Sequence, residues 1–493
     1  MHLSKSSCLC TIIVAAEALS SSEWRSQSIY QVMTDRFART DGSTTASCDL
    51  GDYCGGTWKG LINHLRYIQD MGFTAVWISP VVENVNGSTA DGSSYHGYWA
   101  QDIYAVNTNY GSAADLVSLS DALHKRGMFL MVDIVTNHMA YVGCGDCVDY
   151  SKFTPFDKEF YYHPFCLIDY NNQTSMESCW AGDNIVSLPD LRVEESDVQE
   201  MWAIWIKQLV ANYTIDGLRI DSASSVSKGS LKEFESAAGV YAIAEVFNNN
   251  PDYTCAYQDY ISGLMNYPMY YNITSAFSST NGDIKELERG VNTMKSTCND
   301  VTLLGSFIEN HDNPRFPSLT SDMALAKNAI AFQMLADGIP IIYQGQEQHF
   351  SGSSTPKQRE ALWTSGYNTA ASLYGHIGKL NAIRKQAMKN DDGYLTYNAY
   401  PVWADDHTIV MRKGNNDTQV IGIFNNLGSS GNASFDLLAT SSGFDAGMNV
   451  TDALTCIKSA TDESGDLKIE IKGGLPVVLY STKRLEGSGL CDG

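Results

Sequence analysis

The sequence predicts an α/β fold: a (β/α)8 TIM barrel with an inserted domain after the third strand and a C-terminal antiparallel β-sandwich domain. Short apolar runs rich in β-branched residues alternate along the chain with amphipathic helical patterns. Buried parallel strands and their crossover helices produce this alternation. The number of such units favours a closed eight-fold barrel over an open sheet.

The barrel strands are predicted from their apolar runs, except the sixth, which rests on spacing more than on pattern. In chain order, the predicted strands cover residues 28–34, 75–79, 129–135, 217–220, 241–244, 263–267, 303–308 and 339–343. The clearest helical patterns between them cover residues 115–126, 198–211 and 323–336. We therefore expect each strand to lead into a helix that packs on the outside of the barrel.

Two regions interrupt this alternation of strands and helices. Residues 139–192 are rich in Cys and Tyr, poor in helical periodicity and too long for an ordinary connection, which indicates an inserted domain. From residue 397 the chain changes to short strands separated by Gly, Asn and Ser turns, as in TIVMRKG, QVIGIFNN and LPVVLYS. The predicted division is a signal peptide over 1–18, barrel over 19–138 and 193–396, the insertion over 139–192 and the β-domain over 397–493.

Composition excludes several classes of protein. The chain has 493 residues, 44% of them hydrophobic and 18% charged, so it can bury a large core and is not a disordered scaffold. Lys plus Arg number 33 against 56 Asp plus Glu, giving a net charge of −23. With no basic cluster to offset that charge, a nucleic acid would be repelled.

The first 18 residues have the form of a secretory signal peptide. Lys5 precedes a short apolar stretch, and the small residues Ala16 and Ala18 stand before a cut after Ala18. The alternative is a frayed cytosolic N-terminus. No later run reaches the roughly 18 uninterrupted apolar residues of a membrane span. We therefore expect a secreted, extracellular protein without a transmembrane segment. We also expect a monomer.

Cysteines and sequons fit an oxidising compartment. Of 12 cysteines, Cys8 and Cys10 leave with the signal, and ten remain. Proximity pairs Cys48 with Cys54, Cys144 with Cys147, and Cys166 with Cys179 as loop staples rather than metal ligands. Seven glycosylation sequons occur, at Asn86, Asn172, Asn212, Asn272, Asn416, Asn432 and Asn449.

Polar, charged motifs follow several of the predicted strands. They are DIVTNH at 133–138, GLRID at 217–221, AEVF at 244–247 and ENHD at 309–312. In a barrel the carboxyl ends of the strands meet at one mouth, where active sites lie. Asp221, Glu245 and Asp312 are therefore expected on one rim although they are far apart in sequence.

These four motifs resemble, in order, those of the α-amylase family of glycoside hydrolases. The segments WRSQSIY, TDRFARTDGSTT, YHGYW, SLPDL, ENHDNPRF and GIPIIY are similar to the fungal secreted members of the Taka-amylase type. The resemblance covers essentially all of the mature chain, including four cysteine pairs. It implies a retaining endo-hydrolase of α-1,4-linked glucose in starch, glycogen and related glucans.

The resemblance assigns roles to the acidic residues. Asp221 matches the nucleophile that forms a glycosyl-enzyme ester, and Glu245 matches the acid that protonates the departing oxygen. Asp312 matches the third carboxylate, which holds sugar hydroxyls in the distorted state. Two carboxyl groups close together would raise the pKa of the acid, and Arg219, on the same strand face as Asp221, would keep the nucleophile ionised.

The same resemblance implies the substrate-binding residues. His138 and His311 match a pair that hydrogen-bonds the sugar in the cleaved subsite, and Tyr98 matches a sugar-stacking platform. The aromatic residues Tyr98 and Trp99 of HGYW could instead be plain core residues. Arg359 matches a residue that reaches the same subsites.

A calcium site follows from the resemblance as well. Ca²⁺ takes oxygen ligands, and the family binds one ion between the barrel and the insertion. Asn137 and Asp190 match side-chain ligands, whereas Glu177 and Ser225 match residues that contribute backbone carbonyls. The alternative is that these are ordinary polar loop residues.

The sequence departs from the family on the leaving-group side of the site. Ser224-Ser225 replaces a Lys-His pair, and Phe247 and Thr355 stand where the family carries Leu and Asp. Loss of the lysine removes a sugar contact, which keeps a 4-α-glucanotransferase as an alternative function. The final residues KRLEGSGLCDG carry no apolar tail of a lipid-anchor signal, which favours the soluble hydrolase. A non-catalytic glucan-binding relative would be expected to lose one of the three carboxylates.

Overall fold

A computed structural model describes residues 19–492, and the predicted signal peptide and Cys8 and Cys10 lie outside this range. The core is a barrel of eight parallel strands, which confirms the predicted fold class. In chain order, β1 to β8 are Ile29–Val32, Ala75–Ile78, Phe129–Ile134, Gly217–Ile220, Tyr241–Ala244, Gly263–Leu264, Gly305–Ser306 and Ile339–Tyr343.

The strands pair in the order β6-β5-β4-β3-β2-β1-β8-β7, and a parallel bridge between Met265 and Gly305 joins the two ends. The two-residue strand β6 forms where spacing predicted it, but β7 has only two ladder residues of the six predicted. Beyond Ser306 the chain leaves the ladder and leads to His311 and Asp312, which line the cleft at the mouth of the barrel.

Alternation along the strands divides the core. Trp77, Met131 and Ile243 point into the barrel, where they pack with Tyr267 and Phe307. Their strand neighbours point outward and pack against the helices. The longer helices are Trp58–Asp70, Ala113–His124, Ser196–Tyr213, Lys228–Ala238, Tyr267–Phe277, Ile284–Thr297, Met323–Leu335 and Ser372–Asn390, with short ones at Ser21–Trp24, Thr34–Phe37 and Pro251–Cys255.

Helix ends differ from the predicted ones by a few residues for identifiable reasons. Ser112 and Asp115 form a reciprocal capping box, so the predicted helix 115–126 begins at Ala113 instead. The predicted helix 198–211 runs to Tyr213, where Thr214 ends it in a left-handed conformation.

The segment 139–192 contains little regular structure, as its pattern indicated. It holds a three-stranded sheet of Tyr141–Val142, Val186–Leu188 and Ala181–Gly182, one short α-helix, Gln173–Met176, and three single turns of 3-10 helix, Gly145–Cys147, Tyr150–Lys152 and Glu159–Tyr161. The disulfides Cys144–Cys147 and Cys166–Cys179 lie within it. With Cys48–Cys54 in the barrel, all three predicted cysteine pairs are confirmed, and the structure also contains the disulfides Cys255–Cys298 and Cys456–Cys491, which were not predicted.

The C-terminal region is an antiparallel β-domain. One sheet contains Tyr400–Ala404, Thr408–Lys413, Val420–Asn425, Val477–Ser481, Asn449–Asp452 and Lys458–Ala460, and a second pairs Ala433–Leu437 with Leu467–Ile471. Ile421 and Ile423 of the first sheet share a buried cluster with Ile469 of the second, so the sheets pack face to face. The predicted limits of the domains remain predictions.

Among the described residues, no helix combines the length and apolarity that crossing a membrane requires.

Candidate active site

Arg219 on β4 is the centre of the site. It is 1% exposed and lies opposite Asp133 of β3 in the barrel ladder. Its Nη1 atom donates to Asp133 Oδ1 at 2.9 Å and to Asp221 Oδ1 at 2.7 Å. Its Nη2 atom lies 2.8 Å from Glu245 Oε2. One buried cation thus holds three carboxyl groups, of which Asp221 and Glu245 also line the open cleft.

Glu245 follows β5 directly and is held from three sides. Besides Arg219, its Oε2 atom accepts the backbone N–H of Ser222 at 3.0 Å, and its Oε1 atom accepts the Tyr267 hydroxyl at 3.1 Å. Burial raises the Glu245 pKa to about 7, and the charges of Asp221 and Asp312 push it further in that direction against Arg219. Such a group can hold a proton near neutral pH and release it into the cleft.

Asp312 lies across the cleft, after β7, and pairs with different groups. Arg359 Nη2 lies 3.2 Å from its Oδ1 atom, and His311 Nε2 lies 3.1 Å from its Oδ2 atom. Burial alone would raise the Asp312 pKa, but the nearby His311, Arg359 and Arg219 outweigh it and hold that pKa below its ordinary value. The site therefore contains one carboxyl group that favours its protonated form and one that favours its ionised form.

Tyr98 and His311 form a layer beneath the carboxyl groups. Their rings lie parallel with centroids 5.3 Å apart, and the Tyr98 hydroxyl lies 2.8 Å from His311 Nε2 and donates to Asp133 Oδ2 at 2.8 Å. Burial lowers the His311 pKa to about 4, so the ring is neutral at the pH of most assays. Gln31 on β1 contacts the other ring nitrogen at 2.8 Å and fixes its orientation.

The cleft is open to solvent and has a volume of about 680 Å³. The predicted residues Tyr98, Trp99, His138, Asp221, Glu245, His311, Asp312 and Arg359 all line it, together with His96, Tyr170, Met176, Leu188, Ser222, Ser224, Ser225, Phe247, Asn248 and Tyr253. Arg219 lies beneath this surface. Of the two further departures from the family, Phe247 is 48% exposed in the cleft, whereas the Thr355 hydroxyl accepts a hydrogen bond from Gln358.

The predicted calcium residues form two neighbouring groups. Asn137 and Asp190 are adjacent across a backbone pairing in which Leu191 N–H donates to Asn137 O at 2.8 Å. Glu177 directly follows the helix Gln173–Met176. In this helix, Gln173 Nε2 donates a hydrogen bond to the Ser224 carbonyl at 3.0 Å. Within residues 19–492, no group of three or more His, Cys, Asp or Glu is arranged to hold a metal.

The atoms of this region nevertheless suit a hard cation. Asp190 Oδ1 is buried and has no hydrogen-bond partner in the described part of the chain. The carbonyls of Glu177 and Ser225 likewise accept no hydrogen bond from residues that the structure describes. Oxygen atoms without donors, taken from an amide, a carboxylate and two carbonyls, are the donor set that Ca²⁺ prefers.

Sequence reasoning missed three contacts of this site. Asp133 belongs to DIVTNH, and its position two residues after Met131 on a buried strand could have marked it as an inward carboxylate, because alternate strand residues share a face. Tyr267 follows the weakly patterned β6, and no local signal points to its contact with Glu245. Ser222 contacts both Asp221 and Glu245, which only the turn geometry shows.

Comparison with known proteins agrees with this geometry. A sequence profile described as "Alpha amylase, catalytic domain" matches residues 31–395, and one described as "Alpha-amylase, domain C" matches residues 401–493. The chain belongs to the α-amylase family of glycoside hydrolases. It is 52% identical to α-amylase 2 of Schwanniomyces occidentalis over 95% of this chain and 92% of that protein.

Two further α-amylases extend the similarity. The α-amylase of Saccharomycopsis fibuligera is 51% identical over 94% of this chain and 92% of that protein. The solved structure of an α-amylase from Malbranchea cinnamomea matches with a TM-score of 0.93 and 48% identity, covering 96% of this chain and all of that one. The family expected from the sequence motifs, and a glycoside hydrolase as the class of enzyme, are therefore confirmed.

Proposed function

We propose that this chain is a secreted α-amylase that cleaves internal α-1,4-glucosidic bonds of starch, glycogen and related glucans with retention of configuration. The observation that carries the proposal is the sharing of Arg219 by Asp221 and Glu245 on one wall of an open cleft. Two carboxyl groups held by one guanidinium group are compatible with the separation of about 5 Å that a retaining glycosidase requires.

In the first step Asp221 attacks the anomeric carbon, and Glu245 gives its proton to the departing sugar oxygen. Asp221 Oδ1 is held by Arg219, so Oδ2 is the oxygen that reaches the carbon. The raised pKa of Glu245 supplies the proton near neutral pH. In the second step Glu245 takes a proton from water, which attacks the same carbon and releases Asp221.

The remaining predicted residues bind the sugar in the subsite that is cleaved. Asp312 is ionised and accepts hydrogen bonds from sugar hydroxyls, and Arg359 fixes its carboxylate. His138 lines the cleft, burial lowers its pKa, and its Nε2 atom lies 3.2 Å from the Tyr98 carbonyl. Tyr98 and Trp99 supply aromatic surface for the sugar ring.

A bound Ca²⁺ would be held by Asn137 and Asp190 side chains and by the carbonyls of Glu177 and Ser225. The ion would supply positive charge to Asp190 Oδ1, which is buried and has no partner among residues 19–492, whereas His163 Nδ1 lies 2.7 Å from the other oxygen. Because these residues come from both the barrel and the insertion, their joint binding would fix Tyr170 and Met176 along the cleft.

Secretion is supported by the five disulfides, which persist in oxidising compartments, and by the N-terminal pattern. The expected monomer is part of the proposal, and sedimentation of the purified protein tests it.

A 4-α-glucanotransferase is the second candidate, and the observation that favours it is the exposed aromatic ring of Phe247, which lines the same cleft as Ser224 and Ser225. An aromatic face can retain an acceptor sugar by stacking where the family has a leucine. In a transferase, the hydroxyl of that sugar, rather than water, resolves the ester.

One experiment separates these functions. Purified protein is incubated with maltoheptaose, the products are sized by chromatography, and the first anomer formed is read by proton NMR. Shorter sugars released as the α-anomer support the retaining hydrolase, and products longer than seven units support the transferase. The β-anomer as first product would refute the retaining mechanism, and Asp221→Asn protein serves as the blank.

A further inference from the structure

Ser222 has an uncommon backbone conformation at the point where β4 ends. Its φ of 49° and ψ of 36° lie in the left-handed region, which residues other than glycine rarely adopt. The turn is fastened to the neighbouring strand end because Ala223 N–H donates to the Glu245 carbonyl at 2.9 Å. A non-glycine residue held in this conformation next to catalytic groups suggests that the conformation is used.

The conformation lets Ser222 contact both proposed catalytic carboxyl groups. Its backbone N–H donates to Glu245 Oε2 at 3.0 Å, and its hydroxyl donates to Asp221 Oδ2 at 2.9 Å. In the described part of the chain this hydroxyl is the one hydrogen-bond partner of Asp221 Oδ2, since Arg219 holds Oδ1. The Ser222 hydroxyl therefore binds the oxygen that faces the substrate.

We propose that Ser222 is a positioning residue whose hydroxyl sets the balance between formation and hydrolysis of the glycosyl-enzyme. This inference rests on the proposed retaining mechanism. The hydroxyl binds the free carboxylate more strongly than the ester, because a hydrogen bond to a charged acceptor is stronger than one to a neutral acceptor. It consequently opposes the first step and favours the second.

The bonds that form and break determine which step the Ser222 hydroxyl favours. In the first step the Asp221 Oδ2–carbon bond forms, the glycosidic carbon–oxygen bond breaks, and the proton of Glu245 passes to the departing oxygen. The Ser222 hydroxyl then loses a charged acceptor. In the second step water adds to the carbon, its proton passes to Glu245, and the Oδ2–carbon bond breaks. The carboxylate that leaves regains the Ser222 hydrogen bond as its charge develops.

The test uses Ser222→Ala with a 4-nitrophenyl maltooligoside, whose leaving group makes the first step fast. We expect kcat and KM to fall together by about tenfold, the size of a modest charge-assisted hydrogen bond. Because kcat/KM reports only the first step, we expect it to stay equal or rise. A burst of nitrophenol should approach one equivalent per enzyme, and mass spectrometry of the quenched protein should find a glycosyl adduct on the peptide of Asp221.

Two control variants separate the loss of the Ser222 hydroxyl from other effects of the substitution. Ser222→Gly also lacks the hydroxyl but adopts the left-handed conformation without strain, so it should show the same kinetics. Ser227→Ala removes a hydroxyl that contacts Ser230 on the same connection and should leave the burst unchanged. A lower kcat/KM without a fall in KM, in both Ser222 variants, would overturn the proposal and indicate simple loss of structure.

The two hypotheses fail in different ways. If wild-type protein gives the inverted anomer and no adduct at Asp221 under any condition, the retaining mechanism itself is wrong. If the wild type forms the adduct but neither Ser222 variant accumulates more of it, the mechanism stands and only the role of Ser222 is refuted.

Discussion

Replacement of Tyr267 by Phe tests whether Glu245 is the acid. The Tyr267 hydroxyl donates to Glu245 Oε1 at 3.1 Å and is fully buried. A general acid must be protonated, so the rate falls as pH rises through the Glu245 pKa of about 7. The hydroxyl can donate to the ionised carboxylate or accept from the protonated acid, and the charge-assisted bond is the stronger of the two. Removing it should therefore raise the pKa.

The structure sets the size of this shift. One buried hydrogen bond to a charged acceptor contributes about 1.5–3 kcal/mol, and the bond to the neutral acid recovers about 1 kcal/mol of that. The difference corresponds to roughly 0.4–1.4 pKa units, since one unit is about 1.4 kcal/mol. Asn310 Nδ2, which donates to the same hydroxyl at 3.0 Å, would be left without that acceptor. We therefore expect the free energy of unfolding to fall by about 1–3 kcal/mol as well.

The assay is kcat/KM on a neutral maltooligosaccharide between pH 5 and pH 9, after confirming at each pH that the protein stays folded. In the pH profile of Tyr267→Phe, the apparent pKa of the alkaline limb should be higher than in the wild type by the shift given above. Tyr270→Phe is the control, because its ring packs beside Tyr267 with centroids 6.1 Å apart and does not contact Glu245. A limb that stays in place or moves to lower pH would mean that Glu245 does not control it.

Three further outcomes are expected. Asp221→Asn should lose nearly all turnover while remaining folded by circular dichroism, and retention of more than a tenth of the wild-type rate would show that it is not the nucleophile. Dialysis against EDTA should lower the melting temperature and increase hydrogen exchange first in residues 139–192; an unchanged melting curve with no calcium by elemental analysis would count against the site. The double variant Ser224→Lys with Ser225→His should raise kcat/KM on soluble starch several-fold, because it restores a charge-assisted contact to the leaving group; no gain would mean that other residues already supply it.

The fold was predictable where one physical signal dominated. Apolar β-branched runs such as Ile339–Tyr343 form strands because they are buried on both faces of a parallel sheet, and their pattern is therefore continuous. The signal fails at β7, where Gly305–Ser306 is set in the barrel by its neighbours and not by its own propensity. Tertiary packing decides such short strands, so spacing along the chain is the better guide to them.

The site was predictable to the extent that strand ends share one edge. This rule brings Asp221, Glu245 and Asp312 together, and in the structure all three line one cleft. The rule cannot identify partners, because hydrogen bonds depend on side-chain direction and on turn geometry. Tyr267 reaches Glu245 from a helix start, which Asn266 and Pro268 signal in the sequence without indicating the partner of the tyrosine. Ser222 reaches Glu245 from a left-handed turn that has no sequence signature at this position.

The balance of charge around Arg219 accounts for the raised pKa of Glu245, the proposed acid. One guanidinium group contacts three carboxyl groups, and burial raises the pKa of both Asp133 and Glu245 to about 7. Asp133 accepts hydrogen bonds from Trp77, Tyr98 and Arg219, all of which favour its ionised form.

Glu245 differs from Asp133 in its position, because Glu245 lines the cleft whereas Asp133 is 1% exposed and lies beneath it. A proton held by Glu245 can therefore pass to a sugar in the cleft, and one held by Asp133 cannot. Asp133 does not line the cleft, but its negative charge offsets part of the positive charge of Arg219. Less of that positive charge is then left to stabilise the ionised form of Glu245. It follows that removing the Asp133 charge would lower the Glu245 pKa and weaken the acid without touching the cleft.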